Sequence, residues 1–150
     1  VTLKWPNDVL IDQKKVCGIL SERVVTDSGD AAICGWGINV STAPAELPVP
    51  RATSLMMAGL PTDKSALLAA VLSRLADLAD RWDGGSDLRA EYAAGCSTIG
   101  RRVRVHLDEQ AAERASVVGQ AVGVGENGEL LVAFGDKVEA FAAGDVVHLR

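Results

Sequence analysis

The hydrophobic period constrains this chain most, because it changes twice along the sequence. Residues 1–41 and 97–150 carry short apolar runs of strand type, whereas residues 61–83 repeat their apolar positions at spacings of three and four. A period of two alternates side chains between the faces of a strand, and a period near 3.6 gathers them on one stripe of a helix. In the first stretch the runs 9–11, 16–25 and 31–40 are separated by the polar turns Asp12-Gln13-Lys14 and Asp27-Ser28-Gly29-Asp30. Connections this short join antiparallel neighbours. Residues 41–60, rich in Pro and Ala, read as irregular, with one short helix over 54–58. Pro61-Thr62 then supplies an N-cap, with Asp63 in the first turn. Leu68, Val71, Leu72, Leu75, Leu78, Ala79 and Trp82 form the stripe expected to back the sheet, and Gly84-Gly85 stop the helix. A shorter helix is predicted over 87–94, ending at Gly95.

After residue 97 the runs 103–107, 116–123, 130–134, 138–141 and 146–149 alternate with turns at Gly125-Glu126-Asn127-Gly128 and Phe134-Gly135-Asp136. Five short, evenly spaced strands read as a small barrel of SH3-like type. The expected fold class is α+β: an antiparallel sheet backed by helices over 1–96, followed by a small SH3-like β-barrel over 97–150.

Composition narrows the function classes. Of 150 residues, 48% are apolar and 23% charged, which suits a globular core. Fifteen Lys and Arg against twenty Asp and Glu give a formal charge of −5, the wrong sign for a protein that neutralises nucleic-acid phosphates. Arg101, Arg102 and Arg104 accordingly read as a solvated strand edge. No apolar run approaches the roughly 20 residues of a membrane span, and no secretory signal is visible. Cys17, Cys34 and Cys96 show no CxxC spacing and read as small buried hydrophobes in a reducing, cytoplasmic setting. His106 and His148 have no companion at metal-ligand spacing.

Three groups of residues could carry chemistry. In the strand over 31–40, alternation places Gly35, Gly37 and Asn39 on one face and Cys34, Trp36 and Ile38 on the other, where Trp36 reads as core. Glycine weakens a strand, so two on one face require a cause. One cause is close packing of a helix or another backbone; the other is a bare track for a flat ligand, ending at an amide that donates and accepts. In Lys4-Trp5-Pro6-Asn7-Asp8, proline biases Trp5 toward extended geometry, and Asn7-Asp8 collect polar groups at a strand end. Lys15 starts an apolar strand three residues before Gly18, placing a positive charge beside backbone that a ligand could approach. Its plain alternative is a solvated turn lysine.

Together these groups resemble the biotin protein ligases. Lys4-Trp5-Pro6-Asn7-Asp8, then Lys15-x-x-Gly18-Ile19-Leu20-x-Glu22, then Gly35-x-Gly37-Ile38-Asn39 match that family's central signature in order and approximate spacing. Ala52-Thr53-Ser54-Leu55 and the ending Gly144-Asp145-Val146-Val147-His148-Leu149-Arg150 look like its actinobacterial members. The resemblance implies a partial class II synthetase-like core and a two-step ligase. Biotin's carboxylate attacks the α-phosphate of ATP to give biotinyl-5′-AMP and pyrophosphate. A lysine of a biotin carboxyl carrier protein then attacks the acyl-adenylate and releases AMP.

By the same resemblance Lys15 is the catalytic residue, a fixed charge beside the biotin carboxylate and the α-phosphate. Asn7 and Asn39 match positions around the nucleotide phosphates, with Lys4 near them. Asp8 matches a position near Mg²⁺, and one carboxylate suits an ion that keeps water and phosphate oxygens as its other ligands. Gly18, Gly35 and Gly37 match the floor beneath biotin, and Arg150 matches an arginine turned toward the nucleotide. The family's Gly-Arg-rich biotin loop has no counterpart in these residues, nor has its adenine-stacking tryptophan near Ala52-Thr53. The chain, which opens at Val1, is expected to be the C-terminal part of a longer protein, with activity belonging to the whole. A lipoate-type ligase and a bifunctional ligase and biotin-operon repressor stand as alternatives. No membrane or nucleic-acid contact is expected from this portion. The carrier's identity and a homodimer through a sheet edge stay open.

Overall fold

The computed structural model describes residues 1–27, 29–47, 49–106 and 116–149, without the side chain of Asp30. Ser28, Leu107 and Arg150, which figure in the sequence expectations, lie outside the described residues. In chain order the strands are β1 (Thr2–Lys4), β2 (Asp8–Ile11), β3 (Lys14–Thr26) and β4 (Gly29–Ile38). Two helices follow, α1 (Lys64–Asp83) and α2 (Arg89–Gly95). The remaining strands are β5 (Arg102–His106), β6 (Ser116–Val124), β7 (Leu130–Phe134), β8 (Lys137–Phe141) and β9 (Asp145–His148). The result is a mixed α and β chain with two antiparallel sheets, as expected in outline. It divides into two compact units: Val1 with Asn7–Ser86, and Thr2–Pro6 with Asp87–Arg150.

In the first unit β2, β3 and β4 are successive antiparallel neighbours. Asp12 and Gln13 close the β2–β3 hairpin with φ of 47° and 63°. Two left-handed residues give a turn whose twist matches that of the strands it joins. Burial is confined to one end of the unit, at Leu10, Val16, Cys17, Val40 and Ala52 with Thr53 and Ser54. Further along, Leu20, Val25 and Ile33 are exposed, as is Cys34, contrary to its expected burial. Trp36 is half-buried rather than core.

Helix α1 corrects two expectations. Its N-cap is Asp63, whose carboxylate accepts from the backbone N–H groups of Ser65 and Ala66 at 2.9 and 3.0 Å, so the helix begins one residue later than Thr62 implied. An ionised carboxylate at that position also opposes the positive end of the helix dipole, which a threonine hydroxyl cannot do. More consequentially, α1 does not back the sheet. None of its residues is buried, Trp82 is 71% exposed, and among the described residues of its own unit no strand packs against it. The spacing of Leu68, Leu72 and Leu75 correctly marks an apolar stripe, but a period identifies a face without identifying what covers it. The expected helix over 54–58 is a single turn, closed by Ala58 N–H on the Ser54 carbonyl at 3.0 Å. A 3₁₀ turn, Pro44–Glu46, stands in the segment read as irregular.

The second unit holds the larger core. Its five strands run β8-β7-β6-β5-β9. β5 alternates strictly, with Val103 and Val105 buried and Arg102 and Arg104 exposed. β5 lies between β6 and β9, so those arginines occupy the outer face of an inner strand and not a sheet edge. Ala121, Leu130, Val132, Phe141 and Val146 complete the layer, and Phe134 meets Phe141 edge-on at 6.1 Å. Trp5 enters the same cluster from the N-terminal segment. Its backbone N–H donates to Thr98 Oγ1 at 3.0 Å and its indole N–H to the Gly128 carbonyl at 2.9 Å.

Candidate functional site

A one-residue irregularity builds the site. β2 pairs Asp8 with Gly18 and Val9 with Cys17, but Leu10 then pairs with Lys15, leaving Val16 as an extra residue on β3. Strict alternation from Gly18 would send Lys15 to the face of Cys17 and Ile19. A bulge reverses that parity. Lys15 therefore reaches the face of Gly18, where a Cβ would stand 3.1 Å from both its Cε and Nζ. Asp8 sits directly across from Gly18, and its Oδ1 accepts from the Lys15 ammonium at 2.5 Å. Both side chains are partly buried, 15% exposed for Asp8 and 43% for Lys15. The pair therefore feels less water than a surface ion pair.

On the other side of β3, Gly37 lies opposite Gly18, and Gly35 opposite Leu20. Among the described residues nothing supports the packing account of these glycines. A Cβ at Gly37 would meet nothing nearer than the Gly18 carbonyl at 4.0 Å, and one at Gly35 nothing nearer than the Leu20 carbonyl at 3.9 Å. No helix or backbone presses on them among the described residues. Asp8, Gly18 and Gly37 thus form one row across three strands, carrying an ion pair at one end and open floor at the other.

The two asparagines have local partners. Asn7 donates its side-chain amide to the Ile19 carbonyl at 2.7 Å, and its own carbonyl accepts from Ile19 N–H at 2.9 Å. Asn39 donates its side-chain amide to the Thr53 carbonyl at 3.0 Å. These contacts bring in a segment that the periodicity did not mark. Lys15 N–H donates to the Arg51 carbonyl, and Thr53 N–H donates to the Lys15 carbonyl, both at 2.8 Å, so residues 51–53 pair beside Lys15 in parallel. Ser54 locks the segment by donating to the Thr42 carbonyl at 2.9 Å. The signal for it was the small polar run Ala52-Thr53-Ser54, too short to show a period.

Cys17 lies beside the pair. Burial raises its thiol pKa, Lys15 pulls it down in part, and Asp8 pushes it up again, so the net shift is upward and the group stays a protonated thiol. Lys4 belongs to the second unit, with its ammonium 3.9 Å from the Asp145 carboxylate. The motif Lys4-Trp5-Pro6-Asn7-Asp8 is thereby shared between units, its first three residues in the second and its last two in the first. Arg150 is outside the described residues. Among the described residues no three His, Cys, Asp or Glu side chains gather as a metal cage.

The open floor has a direct test. Gly37→Val is expected to leave the fold intact, because a Cβ there meets nothing nearer than the Gly18 carbonyl at 4.0 Å, while reducing ligand binding at this face by at least about tenfold. Circular dichroism and calorimetric titration with biotin would separate the two effects. Unchanged biotin affinity would remove Gly37 from the floor.

Comparison with known proteins places this geometry. In shape, the chain resembles the apo biotin protein ligase of Aquifex aeolicus with a TM-score of 0.78 at 26% identity, over 99% of this chain and 65% of that one. The same ligase in complex with biotin and ATP gives 0.76 at 28% identity, over 99% and 62%. In sequence, the Biotin/lipoate A/B protein ligase family matches residues 1–39, the stretch that contains every residue of the ion pair and floor. The biotin--[acetyl-CoA-carboxylase] ligase of Mycobacterium tuberculosis is 38% identical over 99% of this chain and 53% of its own length. The bifunctional ligase/repressor BirA of Bacillus subtilis is 28% identical over 96% of this chain and 45% of its own. The chain is similar to biotin protein ligases, and it spans about half the length of the curated relatives it matches.

Proposed function

We propose that the whole protein is an ATP-dependent biotin–protein ligase. The observation that carries this reading is the Lys15 ammonium, delivered by the bulge onto a face whose opposite strand is bare at Gly35 and Gly37. The first step brings a carboxylate against a triphosphate. Biotin's carboxylate oxygen bonds to the α-phosphorus, and the bond to the β-phosphate oxygen breaks. Two anions meet, so the step needs positive charge held in place before reaction. Lys15 supplies it as a point charge, without a proton changing hands. In the second step the carrier lysine's amine attacks the acyl carbon, forms the amide, loses a proton and expels AMP.

The same reading assigns Gly35 and Gly37 to the floor under biotin and Asn7 and Asn39 to the nucleotide side; Gly18, which the resemblance also gives to the floor, is covered by the Lys15 side chain. Mg²⁺ would arrive with the nucleotide, held by phosphate oxygens and water. The absence of a protein cage among the described residues suits that. Residues 1–96 would form part of a synthetase-like catalytic core, and 97–150 an SH3-like C-terminal domain. The acceptor would be a carboxylase carrier protein, and the setting the cytoplasm.

The matching family covers lipoate as well as biotin ligases, so substrate choice is the point to test. ATP–pyrophosphate exchange by the whole protein is expected with biotin and not with lipoate. Exchange driven by lipoate alone would overturn the assignment. The repressor part of the BirA name belongs to those relatives.

A further inference from the structure

We propose that Asp8 is a positioning residue for Lys15, and that Gly18 is glycine to make room for that pair rather than for a ligand. Three observations carry it. Asp8 stands directly across from Gly18, on the same face. Its Oδ1 holds the Lys15 ammonium at 2.5 Å. The end of the Lys15 side chain lies where a Gly18 side chain would begin, with Cε and Nζ both 3.1 Å from that point. Gly35 and Gly37 offer open space, whereas the space above Gly18 is already filled by Lys15. The three glycines therefore do different jobs. Gly18 clears a berth for the ammonium, and Gly35 and Gly37 leave the adjoining floor bare.

Physically, a lysine stem has four rotatable bonds and gives up most of its rotamer freedom when fixed. Its backbone N–H and carbonyl are both held by residues 51–53, but nothing in that pairing fixes its tip. Asp8 does so, and it neutralises the charge until an anion competes for it. A carboxylate engaged in this way is committed to the lysine before any metal arrives. The proposal rests on the ligase reading only for what Lys15 is positioned to do; the ion pair itself stands apart from it.

The test uses the whole protein with ¹⁵N-labelled lysine, in which ammonium protons held in an ion pair exchange slowly enough to be seen by NMR. The Lys15 ammonium signal, assigned by its loss in Lys15→Arg, is expected in the wild type. It should disappear in Asp8→Asn and return in Asp8→Glu. It should also disappear or shift in Gly18→Ala, which keeps the carboxylate and adds a methyl only 3.1 Å from Nζ. Gly18→Ala decides the matter alone if Asp8→Asn fails to fold. In exchange assays both variants should lower kcat by about 10- to 100-fold, the cost of a misplaced reacting group, with the Mg²⁺ requirement unchanged. An ammonium signal that persists unshifted in Gly18→Ala overturns the proposal. So does an intact signal in Asp8→Asn accompanied by a tenfold higher Mg²⁺ requirement, which would make Asp8 a metal ligand. Loss of biotin-dependent exchange in the wild type with normal ammonium behaviour would sink the ligase reading and leave this one standing.

Discussion

Lys15→Ala in the whole protein is expected to lower biotin-dependent ATP–pyrophosphate exchange by about two to three orders of magnitude. A unit charge about 4 Å from a developing anion is worth about 4 kcal/mol at an effective dielectric constant of 20. Only the part gained between ground and transition state appears in kcat, which trims three decades toward two. The backbone around Lys15 is held by Arg51 and Thr53 and does not depend on the side chain, so the fold should survive. The truncation does leave the Asp8 carboxylate, 15% exposed, without its counter-charge. Lys15→Ala/Asp8→Ala is the control for that penalty, and its exchange rate should be as low as that of Lys15→Ala alone. Lys15→Arg tests geometry: a planar guanidinium keeps the charge but replaces a compact ammonium over a glycine berth, and partial activity is expected. Exchange within threefold of wild type for Lys15→Ala would remove the residue from the mechanism.

What the sequence revealed about this site depended on whether alternation held. β5 alternates without interruption between an apolar core and solvent, and its strand was readable to within one residue. The alternation of β4 likewise puts its glycines on one face, but their partners on β3 are given only by the observed register. Lys15 was singled out because it starts a strand near a glycine, yet its actual position depends on Val16 bulging. A bulge of an apolar residue carries no compositional mark, since valine suits a strand on either face. The resemblance marks Ala52-Thr53-Ser54, but the pairing of residues 51–53 with Lys15 is not legible in the sequence, for a related reason. Their pairing with Lys15 is made by backbone groups, which every residue possesses. Helix α1 shows the opposite limit. Its stripe and stop signal are explicit, but Leu68 and Trp82 remain exposed because amphipathicity encodes a demand for burial and not its fulfilment. The family resemblance gives Asp8 a place near a metal ion; its position opposite Gly18 and within reach of Lys15 comes from cross-strand register, which the resemblance does not state.

Trp5 shows how a signature residue can serve the fold while its neighbours in sequence serve the site. It is 2% exposed within the second unit's core, far from the 71% of Trp82. Trp5→Ala is expected to cost about 3–5 kcal/mol, through lost transfer energy and the cavity left behind. Against the 5–15 kcal/mol typical of a whole domain, that is enough to populate unfolded molecules. The Ala variant also strands the Gly128 carbonyl, which accepts from the indole N–H at 2.9 Å. Trp5→Phe keeps most of the volume and isolates that bond, with an expected loss of about 1–3 kcal/mol. Trp82→Ala should fall within about 0.5 kcal/mol of wild type, as an exposed substitution touching no core. Urea denaturation followed by tryptophan fluorescence orders the three: the blue-shifted emission of a buried indole should vanish in both Trp5 variants and remain in Trp82→Ala. A Trp5→Ala cost below 1 kcal/mol, or one matching that of Trp82→Ala, would mean that the indole is not the anchor of this core.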